Sequence, residues 1–303
     1  MKGFIGFTKR NLLIYFKDVQ TVVFSMLTSI IVFVLYLLFL KGSFVDAIEL
    51  AMKGCENLVS STDIDMLVNG FLLVGITGSA LITIPYNCLS TIVKDREQKI
   101  DYDISATPLK RWQIVLSYFT ASTISAFLIT SVILTVGFVT LFQMGDLHME
   151  MERFLYAYGL LFLGSLSSTS FFIIVVLYFK SSSASGAFFG MLSAAAGFVI
   201  GAYIPLSQFS KTVQTICNLF PASQITILLR NVLLNGVTES INTSIGGLDQ
   251  GMFLEKIEEI FCFQVKVFDS TMTNMESVDY ILMVTAVCIA LMIFVYGRTY
   301  KRK

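Results

Sequence analysis

Six stretches of this chain contain no charged side chain: residues 19–40, 66–93, 113–142, 154–179, 186–206 and 280–297. No other feature limits the fold as strongly. Each stretch can cross a bilayer core as a helix, which takes roughly 17–25 residues. Leu, Ile, Val and Phe dominate them, interspersed with Gly, Ala, Ser and Thr, without the alternation of a barrel strand. In hydrocarbon every backbone polar group must be satisfied internally, so these stretches are predicted to be helices. The expected fold is an all-α integral membrane domain over residues 1–303, with six spans and both termini on one side. Composition agrees. Only 14% of residues are charged, against about 25% in soluble domains. Mean hydropathy is +0.76. Abundant aliphatic residues and 27 Phe exclude disorder. A net charge of zero without a basic stripe argues against nucleic acid as a partner.

Lys and Arg set the orientation. With cytoplasmic termini, the inside segments are 1–18, 94–112, 180–185 and 298–303, with 14 basic and 5 acidic residues. The outside segments 41–65, 143–153 and 207–279 then hold 7 basic and 16 acidic residues. The expectation is a multi-pass protein of the cell membrane with both termini cytoplasmic. The run Val19–Leu40 is too long for a signal-peptide core and has no A-x-A site. Residues 3–18 are predicted to form an interfacial amphipathic helix, with Phe4, Ile5, Leu12 and Phe16 beside Lys9, Arg10 and Lys17.

Segment 94–112 carries nine charges of mixed sign. Positive-inside flanking explains its basic residues but not its four acids. A mixed-charge helix suits docking to a soluble partner of complementary charge. Pro108 is predicted to open the next helix, with Thr107 as its N-cap. The fifth span carries Gly186-x-x-x-Gly190, extended by Ala194, and Gly197-x-x-x-Gly201. Such spacing lets helices approach closely, within the chain or in a dimer. Ser165, Ser167, Ser168, Thr169 and Ser170 either meet substrate or bond back to the preceding turn.

Segment 207–279 is the one extramembrane region long enough to fold. Residues 213–234 are apolar but interrupted by Pro221 and Arg230, which predicts a re-entrant or interfacial helix pair. Residues 235–279 hold eight acids and a Gly246-Gly247 turn, and are predicted to be a small external subdomain. Phe261, Phe263, Val265, Val267 and Phe268 suggest a strand or amphipathic helix there. Cys55, Cys217 and Cys262 fall outside, where a disulfide is permitted, Cys55–Cys262 being one candidate.

No Lys follows a Gly, so there is no phosphate-binding P-loop. The single His148 rules out an HExxH zinc site, and no GxSxG elbow occurs. No metal or other cofactor is expected on this chain. The spans lack the intramembrane carboxylates of ion-coupled carriers.

The chain resembles the ABC-2 type permeases, the membrane subunits of ABC exporters. In that family the first cytoplasmic loop runs as an acidic/basic pair, a further acid, then Ser/Thr-Pro and a basic residue. Here Asp95-Arg96-Glu97 precedes Asp103 and Thr107-Pro108-Leu109-Lys110-Arg111. Many members carry Gly-Thr shortly after the first acid, where this chain has Lys99-Ile100. Tyr102-Asp103 before Thr107-Pro108 is partly similar to a drug-, antibiotic- and haemolysin-export subgroup. NLFPASQITILLRNVLLNG (218–236) is similar to the family segment before the last span.

The resemblance implies a transport subunit without its own ATPase site. ATP and Mg would bind two copies of a separate ABC ATPase, and a second permease subunit would complete the transporter. Segment 94–112 would be the coupling helix, with Asp95, Arg96, Glu97, Asp101, Asp103, Thr107 and Pro108 as ATPase-coupling residues. Spans one, two and five would line the dimer interface and cavity. Phe24, Phe33, Phe71, Phe188, Phe189 and Phe198 would meet an apolar or amphipathic substrate there. Such a substrate is a drug, antibiotic, toxin or peptide; lipid and lipid-linked glycan cargoes, or an ATP-independent scaffold or sensor, are the alternatives.

Overall fold

A computed structural model describes residues 2–51, 59–145, 148–246, 252–268 and 270–299. Cys55, Gly247 and hence the Cys55–Cys262 pairing lie outside the described residues. Cys217 and Cys262 are both buried free thiols.

The fold is all-α apart from one small hairpin. Helix α1 (Lys2–Lys17) leads into α2 (Val19–Leu35), which continues through a π-helical turn at Tyr36–Leu40 into α3 (Lys41–Ala51). Asp18 caps α2 by accepting from Thr21 N at 3.1 Å. Among the described residues, six helices are long and apolar enough to cross a membrane: Val19–Glu49, Ser61–Glu97, Arg111–Met144, Met151–Val176, Ser182–Val199 and Asn274–Arg298. The six charge-free stretches each fall largely within one of them. The first continues past residue 40, because Lys41, Asp46 and Glu49 extend the helix beyond its apolar part. The second is α4 (Ser61–Cys88) and α5 (Ser90–Glu97) in sequence, with Pro85 inside α4.

Helix α4 is the centre of the molecule. Its span is 89% buried, against 28% for the first span and 17% for the fifth. Around α4 pack α2, α7 (Arg111–Met144), α8 (Met151–Val176), α9 (Ser182–Val199) and α11 (Pro221–Ile245). Two glycines permit this closeness. A Cβ on Gly78 would overlap the Thr226 side chain of α11, and one on Gly137 of α7 would overlap Leu73. The hydroxyls of α8 mostly bond to their own helix: Ser167 to Gly164 O, Thr169 to Ser165 O and Ser170 to Ser167 O.

Helix α10 (Lys211–Asn218) meets α11 at 90°, broken at the expected Pro221, which takes the first position of α11. Proline suits that position because its missing N–H would have no helical acceptor. Helix α12 (Met252–Ile260) buries Phe253 and Ile257 in the main core, and strands β1 (Val265–Val267) and β2 (Ser270–Met272) follow beside α10. The strands pair antiparallel, with Lys266 opposite Thr271. The last helix, α13 (Asn274–Thr299), opens with a capping box: Thr273 N donates to Glu276 Oε2 at 2.7 Å, and Glu276 N to Thr273 Oγ1 at 3.3 Å.

Arg230 ties the turn after α12 to α11 and α4. It is 2% exposed on α11, donates to Cys262 O at 2.7 Å and to Phe261 O, and sits 4.5 Å over the Phe71 ring. No carboxylate is paired with it among the described residues. Its charge is met by carbonyl dipoles and an aromatic face.

Candidate functional site

The segment between the second and third spans divides into three parts. Residues up to Glu97 complete α5 and continue the second span. Helix α6 (Ile100–Ala106) follows after a sharp turn, and Thr107–Lys110 lead into α7. At the turn Lys99 has φ +61°. That left-handed conformation favours glycine over any residue with a Cβ. Pro108 does not open α7, and Thr107 does not cap it. Thr107 ends α6, donating its hydroxyl to Ile104 O, while Lys110 N donates to Gln113 Oε1 at 2.9 Å to start α7.

The acidic and basic residues separate by helical phase. Asp95 is 4% exposed and accepts two hydrogen bonds from Arg10 of α1, at 2.6 and 2.7 Å, and one from the Tyr118 hydroxyl of α7. The Asp95 hydrogen bond raises the Arg10 guanidinium above its ordinary value. Arg96 donates to Phe179 O at the end of the fourth span. Glu97 accepts from Ser182 N and Oγ at the start of α9. Lys94 pairs with Asp18 at 2.8 Å. This contact, with those of Thr21, holds the Asp18 carboxyl down at about 2. Asp95, Arg96 and Glu97 are thus bound to neighbouring elements of the chain. Together these contacts fix α5 to α1, α2, α7 and α9.

Helix α6 presents the remainder. Tyr102 is 61% exposed, Asp103 and Pro108 are exposed, and Asp101 and Thr107 are half-buried. Ile104 is buried and anchors the helix. One end of the bundle therefore carries an acidic, solvent-facing helix on a rigid base. Helix α1 and the end of α13 lie at the same end, where Arg111 donates to Gly297 O at 2.9 Å. On α1, Ile5 at 62% and Phe16 at 40% remain uncovered by protein, as an interfacial helix requires.

The aromatic residues also separate. Phe24, Phe33 and Phe198 are exposed on α2 and α9, and Phe188 and Phe189 are half-buried against Tyr86. Phe71 is removed from any pathway: it is 3% exposed, packed on Phe44, Phe261 and the Arg230 guanidinium. Phe33 borders an apolar groove of about 580 Å³ between α2, α4 and α7, which Ile30, Leu72, Ile76 and Val136 also line.

The two GxxxG motifs differ as well. Gly186, Gly190 and Ala194 are exposed, and a Cβ on either glycine would meet nothing within 4 Å. Gly197 instead lies under the Tyr203 ring, and Gly201 has φ +71° in the turn after α9. The second motif therefore reverses the chain and packs no neighbouring helix across Gly201.

A family model described as ABC-2 family transporter protein matches residues 56–298. The chain belongs to that family. It is therefore a multi-pass membrane permease component of an ABC transporter, and such permeases work with an ABC ATPase subunit. Comparison with curated proteins returned no match. Sequence reasoning missed Arg10, Tyr118 and Ser182, the partners that hold Asp95 and Glu97 inward, and Asp18, the partner of Lys94. No sequence spacing links them, since Arg10 and Asp95 lie 85 residues apart.

Proposed function

We propose that this ABC-2 permease subunit exports an apolar or amphipathic molecule from the cell by alternating access, driven by two copies of a separate ABC ATPase. Helix α6 is the coupling element, with Asp101, Tyr102 and Asp103 facing the ATPase. The observation that carries this reading is the contrast within segment 94–110. Lys94, Asp95 and Glu97 fasten the segment to α1, α2, α7 and α9, while α6 exposes Tyr102 and Asp103. A force applied to α6 is thereby delivered to α1, α2, α7 and α9 as a rigid-body motion. The termini and α6 are cytoplasmic, as the Lys and Arg distribution requires.

A second permease subunit covers α2 and α9. These spans are the most open in the bundle apart from α13. The uncovered Gly186–Gly190–Ala194 row allows close helix approach. Phe24, Phe33 and Phe198 border that side and offer an apolar lining to the cargo. The lack of charge along these spans favours drug-like, antibiotic, toxin or peptide substrates over small ions.

The test is reconstitution with the ATPase subunit, followed by charge reversal at Asp101 and Asp103. Substrate-stimulated ATP hydrolysis and transport should both fall, with the permease still folded. Unchanged stimulation in the double reversal would remove α6 from the coupling path.

A further inference from the structure

At the end of the bundle opposite α6, a second cavity of about 650 Å³ lies between α8, α11 and α13. Its size falls within the roughly 300–1,000 Å³ range of ligand sites. It is amphipathic along its depth. Leu160, Leu163, Leu228, Val232 and Val278 form an apolar trough, while Arg153, Asn231, Asn235 and Asn274 stand among its polar lining. Asn231 Nδ2 is occupied, donating to Phe263 O at 2.8 Å and to Asn274 Oδ1 at 3.2 Å. Asn235 Nδ2 donates to Glu239 at 3.3 Å. The Arg153 guanidinium and the Asn274 amide nitrogen have no acceptor among the described residues. Arg153 is half-buried and forms no ion pair with Glu152 beside it in sequence.

We infer that this cavity holds a glycerophospholipid, with its phosphate at Arg153 and Asn274 and an acyl chain along the trough. Charge complementarity selects the phosphate: a planar cation and an amide N–H point to an oxyanion. The trough selects a lipid over free phosphate, because a small anion would leave the apolar walls uncovered. Leu155 and Met275 on the rim are 77% and 79% exposed, so the cavity opens toward the surroundings of α8 and α13, which for membrane spans is lipid. Gly159 keeps the trough open, since a side chain there would enter space with nothing within 4 Å. The site lies away from α6 and from the α2–α9 side, and does not depend on what the transporter carries.

The experiment uses the full chain in nanodiscs that contain a diacyl phosphatidylcholine with a photoreactive group in its acyl chain. Crosslinks should concentrate on peptides of α8 and α11 that line the trough. Arg153→Gln should lower capture by about tenfold, the effect of one charge-assisted hydrogen bond. Gly159→Leu, which fills open space on an exposed helix face and leaves the fold intact, should abolish trough crosslinks. A diacylglycerol carrying the same photoreactive chain should be captured several-fold less than the phospholipid. Crosslinks spread evenly over all spans and unchanged by both folded variants would overturn the proposal. Displacement of the probe by inorganic phosphate would also overturn it, assigning the donors to a free anion.

Discussion

Removal of the Asp95 carboxylate tests the structural base beneath α6. The side chain of Asp95 is 6% exposed, and that of Arg10 is 31% exposed. Asp95→Ala deletes two charge-assisted hydrogen bonds to Arg10 and strands the buried Tyr118 hydroxyl. Breaking a buried ion pair costs about 3–5 kcal/mol. Partial exposure lets water reach Arg10, which lowers its share. The unsatisfied Tyr118 hydroxyl adds about 1–3 kcal/mol. The expected loss is about 3 kcal/mol for Asp95→Ala and about 3–4 kcal/mol for Arg10→Ala, which leaves the buried Asp95 carboxylate without its cation. Because both delete the same contact, the double variant should lose far less than the sum, with a coupling energy of about 1.5–3 kcal/mol. The assay is a double-mutant cycle on reversible unfolding in mixed micelles. Additive losses would refute the Arg10–Asp95 contact as a fastening of α5. A second refuting outcome is Asp95→Ala weakening ATPase binding while Arg10→Ala leaves it untouched, since Asp95 would then face the partner.

Other predictions follow from the same geometry. Lys99→Gly should stabilise the protein by about 1 kcal/mol by relieving the left-handed backbone, as read from the unfolding midpoint; a loss would mean that the lysine side chain outweighs its strain. Gly137→Leu should overpack α7 against Leu73 and cost about 1–3 kcal/mol or more, whereas Gly190→Leu should leave monomer stability unchanged. Arg230→Met should leave the Phe261 and Cys262 carbonyls unpaired and speed hydrogen exchange across residues 261–272, with little change in α4. The Asp18 carboxyl is depressed in the fold, so its contribution is complete above about pH 4 and fades as pH falls toward about 2. Asp18→Asn should flatten the stability profile over that window.

The spans were legible because lipid imposes its constraint on composition: a charge-free run of adequate length has one stable conformation. The break at Pro221 was legible for a comparable local reason, since proline fixes where a helix can begin. Of the strand or amphipathic helix that Phe261, Phe263, Val265, Val267 and Phe268 left open, the structure has a strand at Val265–Val267. The candidate site was only half legible. Asp95 and Asp103 are chemically identical and eight positions apart, yet one turns toward Arg10 and the other toward solvent. Helical phase and the Lys99 turn decide that, and neither is visible in a charge count. Phe71 and Phe33 differ in the same way, one under Arg230 and one on an open groove. Gly190 and Gly197 belong to motifs of the same spacing, but only the first faces open space. Residue type set what each could do, and tertiary placement selected which did it.

Coupling through α6 is tested most directly by site-specific photocrosslinking in the assembled transporter. A photoreactive residue replacing Tyr102, with the ABC ATPase subunit co-expressed, should give a permease–ATPase adduct whose yield changes between nucleotide-free and ATP-bound states. The same residue at position 270, at the far end of the bundle, should give none. An intact complex with no ATPase adduct from position 102 in either state would contradict the account.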